Sequence, residues 1–263
     1  MNIRLDNMNA MVCGSSGGIG KASAIELAAL GANVTLLARN EDKLKAALNE
    51  LSVTPSQKHD FLVADFSNPE ALKATVNKYL IDTKKNYHIL VNNTGGPPAG
   101  PAIDAKEIDF LSAFSNHLIC NHIMVKELLE GMKVEKYGRI INVISTSVKI
   151  PLQGLGVSNT IRGAVASWSK TLASELAQFG ITVNNVLPGA TSTERLDAII
   201  QNKSNKAARP AGEITIEMQL EIPMRRFAKP EEIANAIAFL ASPASSYICG
   251  INLPVDGGRT GCL

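Results

Sequence analysis

Seven short, nearly continuous apolar runs recur along this chain, separated by longer stretches with helical spacing. The runs are residues 10–13 (AMVC), 33–38 (NVTLLA), 61–64 (FLVA), 89–91 (ILV), 139–144 (RIINVI), 181–187 (ITVNNVL) and 251–253 (INL). Helical spacing fills 22–30, 41–51, 70–81, 108–132, 157–179 and 230–240. A strand that is apolar at successive positions is covered on both faces. Such strands alternating with helices make a parallel sheet between two helical layers. The expectation is a three-layer α/β fold, doubly wound, with about seven strands. No repeat, low-complexity tract or linker interrupts the 263 residues, so one domain spanning 1–263 is expected. The stretch 193–225 stands apart as polar (QNKSNKAARPAGE within it). A substrate lid would sit there, and a solvated surface excursion is the alternative.

Several function classes fall away on charge and composition. A net charge of +2 gives no electrostatic case for nucleic acid or a membrane surface. No uninterrupted apolar stretch reaches the roughly 18 residues of a spanning helix. The opening MNIRLDNMNAMV lacks a basic region followed by an apolar run of signal-peptide length, so a cytoplasmic protein is expected. Cys13, Cys120, Cys249 and Cys262 are widely spaced and read as reduced thiols. His59, His88, His117 and His122 show no zinc-ligand spacing, and no metal site is expected.

The first apolar run ends at Gly14, and Ser15, Ser16, Gly17, Gly18, Ile19 and Gly20 lead into the first helical stretch. Glycines open backbone angles closed to other residues and let a ligand approach the main chain. The free N–H groups and positive dipole end of the following helix favour a pyrophosphate. Placed between a strand and a helix, the cluster points to a dinucleotide. Arg39 and Asn40 follow the second run, where an acidic residue would select NAD by bonding ribose hydroxyls. A guanidinium there suits the 2′-phosphate of NADP instead, with a plain surface charge as the alternative. Asp65 and Phe66 after the third run, and Asn93 and Gly95 (in NNTGG) after the fourth, fall at strand carboxyl ends. They could line the adenosine side or serve only as turn-formers.

These motifs resemble those of the short-chain dehydrogenase/reductase family over nearly the whole chain. CGSSGGIG is similar to its TGxxxGxG, NNTG to its NNAG, and GRIINVIS to the strand leading to its active-site serine. VNNVLPG is similar to its VNxVxPG, bringing in Pro188 and Gly189 with Thr191 and Thr193 beyond. PEEIA, FLAS and VDGG resemble its C-terminal signature. Among subgroups the chain looks most like bacterial 3-oxoacyl-carrier-protein reductases. The resemblance implies a Rossmann-type fold, NADP(H), a small carbonyl or acyl-thioester substrate, and a homodimer or homotetramer through helix packing.

In that family a serine orients the carbonyl, a tyrosine donates the proton and a lysine four residues later lowers the tyrosine pKa. An asparagine on the preceding long helix supports a proton relay. The resemblance places the serine at Ser145, the tyrosine position at Ser158, the lysine position at Arg162 and the asparagine at His117 or Asn116. No tyrosine lies between Tyr137 and Tyr247, so no register shift restores the motif. A serine hydroxyl is a far weaker acid than a phenol, while Arg162 keeps a positive charge in a planar fork. Three readings stay open. The chain reduces carbonyls by another proton route, through water or through His117. Alternatively it binds NADP without turnover, as a regulatory or partner protein, or it runs a different reaction on the scaffold.

Overall fold

The computed structural model describes residues 1–262. In chain order the elements begin with β1 (Asn9–Cys13), α1 (Gly18–Ala29), β2 (Asn33–Ala38), α2 (Glu41–Leu48), β3 (Asp60–Val63), α3 (Pro69–Thr83) and β4 (Ile89–Asn92). They continue with α4 (Glu107–Phe114), α5 (Cys120–Glu135), β5 (Gly138–Val143), α6 (Gly156–Leu176), β6 (Ile181–Pro188), α7 (Glu194–Ala207), α8 (Ala211–Leu220), α9 (Pro230–Ala241) and β7 (Asn252–Val255). The strands form one sheet in the order β3-β2-β1-β4-β5-β6-β7, and every pairing is parallel. The fold is the Rossmann-type α/β arrangement that the alternation of runs implies.

Neighbouring residues of one strand feed opposite cores. Ala10 and Val12 of β1 pack with Leu27 of α1, Leu44 of α2 and Ile233 and Ile237 of α9. Met11 and Cys13 pack on the other side with Leu72 of α3, Met124 and Leu128 of α5 and Leu176 of α6. Because both sheet faces are covered, no polar alternation was needed along the strands. Each fully buried Leu, Ile or Val side chain contributes about 1.5–3 kcal/mol. Local signals set several helix starts. The Asn40 and Asn68 side chains accept from the backbone N–H of Lys43 and Ala71, at 2.8 and 3.0 Å, capping α2 and α3.

Strand order reverses beside β1, which lies between β2 and β4. In a sheet of this kind the crevice outside the carboxyl ends at that switch point is where a ligand binds. The ends there are held in step by a row of asparagines. Asn92, Asn142, Asn185 and Asn252 are register partners across β4, β5, β6 and β7. Asn92 donates to Asn142 Oδ1 at 2.9 Å, Asn142 to Asn185 Oδ1 at 3.1 Å, and Asn185 to Asn252 Oδ1 at 2.8 Å. Ser169 of α6 joins the row, accepting from Asn142 at 2.9 Å and donating to Asn185 at 2.8 Å. Asn92, Asn142 and Asn185 are buried, and bonds of this kind favour one register because a slip would break them, although Asn92 Oδ1 itself accepts no bond.

Two segments differ from their sequence expectation. The long helix read over 108–132 keeps its course, but a π-helical turn, Ser115–Ile119, separates α4 from α5. Such turns recur at functional sites, and this one carries Asn116 and His117. The polar stretch 193–225 folds largely into α7 and α8, which share an apolar cluster of Leu196, Ile200, Ile214 and Met218.

Candidate active site

The glycine-rich turn after β1 is built by close backbone approach. Gly14 has φ +61°, and a Cβ there would stand 2.5 Å from Asn93 O. A Cβ on Gly20 would lie 2.2 Å from Gly14 O and 2.7 Å from Asn93 Nδ2. Asn93 ties the turn to β4 by donating to Cys13 O and Gly14 O at 3.4 and 3.3 Å. Gly18 has φ +52° and faces Thr193, whose Cγ2 would lie 3.3 Å from an added Cβ. Gly17 begins α1 with no side-chain cap, and no acidic residue lies in the first turn. The first N–H groups and the positive end of the helix are therefore offered to an anion. Gly14, Gly18 and Gly20 thus form a cradle that side chains would fill, and it fits a dinucleotide pyrophosphate.

The other cofactor residues divide between ligand-facing and structural duties. The Ser15 hydroxyl is fully buried and engaged with Leu37, accepting from its N–H at 2.9 Å and facing its carbonyl. Ser15 therefore fastens the turn to β2, while Ser16 and Ile19 remain half-exposed. Arg39 is exposed and forms no ion pair among the described residues, whereas the Asn40 carbonyl oxygen is engaged as the α2 cap. Asp65 is exposed and accepts from Ser67 N at 2.9 Å, a turn-forming bond that leaves its other oxygen open. The Phe66 carbonyl accepts from Cys120 Sγ at 3.1 Å and from the Asn116 amide at 2.9 Å. At Gly95 nothing lies within 4 Å of an added Cβ. Gly189 donates to Val255 O at 2.9 Å, fixing the turn after Pro188. Thr191 is buried with its hydroxyl on Gly189 O at 3.1 Å, and Thr193 caps α7 by accepting from Leu196 N at 3.4 Å.

Beyond β5 the chemistry changes from shape to charge. Ser145 is extended, and its Oγ accepts from Ser147 N at 3.1 Å. Accepting that bond leaves the Ser145 O–H free to donate. Ser158 is half-buried in the first turn of α6. One turn later Arg162 is buried at 8% exposure and donates Nη1 to Val143 O, at the end of β5, at 3.0 Å. Burial, then the nearby Arg195, lowers the Arg162 pKa to about 10, so the guanidinium remains charged at neutral pH.

His117 does not fit the role of a cationic acid. Its ring is 2% exposed, and Nδ1 lies 2.6 Å from Thr94 Oγ1. Burial foremost, then the charges of Arg162 and Arg195, pull its pKa down to about 3. The imidazole is neutral at pH 7 and cannot act as an imidazolium donor there. Asn116 instead turns its amide toward Phe66 O and Ser112 O, at 2.9 and 3.3 Å, behind the π-helical turn. Arg162 thus meets the end of β5 just before Ser145, with His117 within electrostatic reach of it. No tyrosine reaches that place. Tyr79 and Tyr87 bond Asp60 and Thr35, Tyr137 bonds Ala241 O, and Tyr247 is fully exposed.

Two functional candidates escaped the sequence reading. Thr94, which departs from the alanine of NNAG, is the partner of His117. Arg195, in the first turn of α7, donates Nη2 to Pro97 O at 2.6 Å and passes over Gly96. Partial desolvation holds its guanidinium below the ordinary arginine value. A cation two residues past Thr193 was the available signal, hidden within a polar stretch.

A family profile described as enoyl-(acyl carrier protein) reductase matches residues 14–260. The 3-oxoacyl-[acyl-carrier-protein] reductase FabG of Rickettsia bellii is 34% identical over 256 residues, covering 97% of this chain and 98% of that protein. The chain belongs to the short-chain dehydrogenase/reductase family. Among solved structures, the L-sorbose reductase of Gluconobacter frateurii, complexed with NADPH and L-sorbose, is 28% identical with a TM-score of 0.92, covering 100% of both chains. YwfH, an NADPH-dependent reductase involved in bacilysin biosynthesis, is 28% identical with a TM-score of 0.91 over 97% of this chain and 99% of its own. The turn at Gly14–Gly20 leads from β1 into α1, and Ser145 follows β5. No described helix is long and apolar enough to cross a membrane.

Proposed function

We propose that the chain is an NADP(H)-dependent carbonyl reductase in which buried charge replaces the phenol of the usual catalytic set. The observation that carries this reading is Arg162, a buried cation on α6 anchored to Val143 O beside Ser145. A bound nicotinamide dinucleotide supplies the hydride. Ser145 donates its O–H to the substrate carbonyl oxygen. The Arg162 cation and the N-terminal end of α6, which has no acidic residue in its first turn, stabilise the negative charge that develops there. The proton comes from water held between the Ser145 and Ser158 hydroxyls, because neutral His117 and the remote tyrosines cannot deliver it. A water route is slower than a phenol with a lowered pKa, so a low turnover number is expected.

Further parts of the reading rest on particular residues. Exposed Arg39, without an ion-pair partner among the described residues, suits a 2′-phosphate and so NADP(H). The fold is read as one domain, with α7 and α8 serving as a lid that Arg195 ties to the loop after β4. Ile108, Leu111 and Phe114 are exposed along α4, an apolar row that a second copy of the chain would cover in a dimer or tetramer. The substrate is read as a small carbonyl compound or a 3-oxoacyl thioester, as in the name of the Rickettsia relative. A second reading, cofactor binding without turnover, is favoured by the absence of any tyrosine near Ser145.

Titration with NADPH, followed by quenching of Trp168, tests both readings together, and no saturable binding would sink both. Loss of NADPH absorbance with acetoacetyl thioester or acetoacetate then separates them. Turnover supports the reductase, and saturable binding with no turnover on any carbonyl compound supports the silent binder.

A further inference from the structure

Between α7 and the loop after β4 lies a cleft of about 360 Å³ whose one charged lining residue is Arg195. Pro98, Ala99, Ala198 and Ile199 give it apolar walls, and Asn202 adds a neutral polar group. Arg195 spends one N–H on Pro97 O, which leaves four of its five guanidinium donors for a ligand. No carboxylate pairs with Arg195 or with Arg162 among the described residues. Arg195 lowers the pKa of Arg162, and both cations lower that of His117, so a positive field extends across this end of the crevice. Arg162, buried without a counter-charge, is unfavourable until an anion joins it, and Arg195 stands exposed at the cleft where a ligand can reach it.

Two anions could answer, a phosphate of the cofactor or a carboxylate of the substrate, and the placement favours the second. The pyrophosphate cradle is the turn at Gly14–Gly20 with the start of α1. Arg195 instead overhangs Gly96 and Pro97 in the loop after β4, the strand paired with β5, whose end leads to Ser145 and holds Arg162 through Val143 O. We propose that Arg195 holds the carboxylate of an oxo-acid substrate, so that the enzyme selects carbonyl compounds carrying an anionic group within a few bonds of the carbonyl. The apolar walls take the intervening carbons. The Arg195 fork suits a carboxylate in bidentate fashion. This rests on the carbonyl-reductase reading of the same site, but its test does not depend on turnover.

Acetoacetate and 4-oxopentanoate, each beside its methyl ester, are titrated calorimetrically into the full-length protein with saturating NADP⁺. The wild type is expected to bind at least one acid about tenfold or more tightly than its ester, a gap of about 1.4 kcal/mol. Arg195→Gln should erase that gap while the NADPH Kd stays within about threefold, and Arg195→Lys should restore part of it. Equal binding of acid and ester by the wild type, or of neither, overturns the proposal. So does a tenfold loss of NADPH affinity in Arg195→Gln with the acid preference intact, which would assign Arg195 to the cofactor phosphates. An acid preference with no NADPH oxidation would support the anion site and overturn the reductase reading alone.

Discussion

The two sides of the crevice are specified in different ways. Around β1 and β4 the site is a matter of shape, where a single Cβ at Gly14 or Gly20 meets backbone at 2.5 Å or less. Around β5 and α6 it is a matter of charge, where the Arg162 cation lies against Val143 O and, with Arg195, keeps His117 neutral. Shape of the first kind admits one residue type, because the competing atoms are main chain and cannot move aside. A field can be produced by several residue sets, so that side of the crevice can change its chemistry while the fold stays as it is.

The largest test of the comparison is Gly20→Ala. Its Cβ would overlap Gly14 O, so a loss of about 3 kcal/mol in chemical denaturation is expected, along with NADPH affinity. Gly17→Ala is the control: its backbone is extended at φ −177° and nothing lies within 4 Å of the added carbon. Stability in that variant should stay within about 0.5 kcal/mol of wild type, because no protein atom opposes the new methyl. Similar damage from both would show that the turn is not selected by shape.

Next comes the asparagine row that both sides share. Asn142→Leu strands the amide of Asn92 and one bond each of Ser169 and Asn185, at a cost of about 2–3 kcal/mol. A denaturation midpoint equal to wild type would mean the row contributes nothing to register. On the charged side, Ser158→Tyr combined with Arg162→Lys should raise kcat about tenfold or more, roughly 1.4 kcal/mol from the barrier. No gain would show that the pocket around Ser158 has no room for the phenol route.

The smallest expected effect belongs to His117. Its pKa is about 3 in the folded chain and about 6.5 when unfolded. Between those values the unfolded state binds the extra proton, so stability is full above pH 6.5 and falls as pH drops. Relative to His117→Asn, the wild type should lose about 1 kcal/mol between pH 6.5 and 5.5. Parallel stability curves for the two proteins would show that the histidine is not held neutral. A group near pH 6.5 should likewise be absent from any pH–rate profile.

The fold was legible because its signals are local or periodic. Strands buried on both faces read as apolar runs, Asn40 and Asn68 announce helix starts, and the glycines of the first turn sit between a strand and a helix. The π-helical turn at Ser115–Ile119 was not legible, because its residues carry the same spacing signal as an ordinary helix. Long-range pairings were hidden for a similar reason. Thr94 with His117, and Arg195 with Pro97, lie 23 and 98 residues apart, and no pattern within either segment names its partner. The state of His117 could not be read at all, since it depends on burial and on two arginines brought in from other helices.

The asparagine row also divides the molecule into parts that can be exchanged. The chain leaves the sheet within a few residues of Asn92, Asn142, Asn185 and Asn252, and Asn93, Ser145 and Gly189 follow just past the first three of those points. A segment transplanted from a related reductase between two such asparagines would inherit strand ends already indexed against one another. Each asparagine is thus a natural junction for chimaeras that swap substrate preference and leave the dinucleotide side alone.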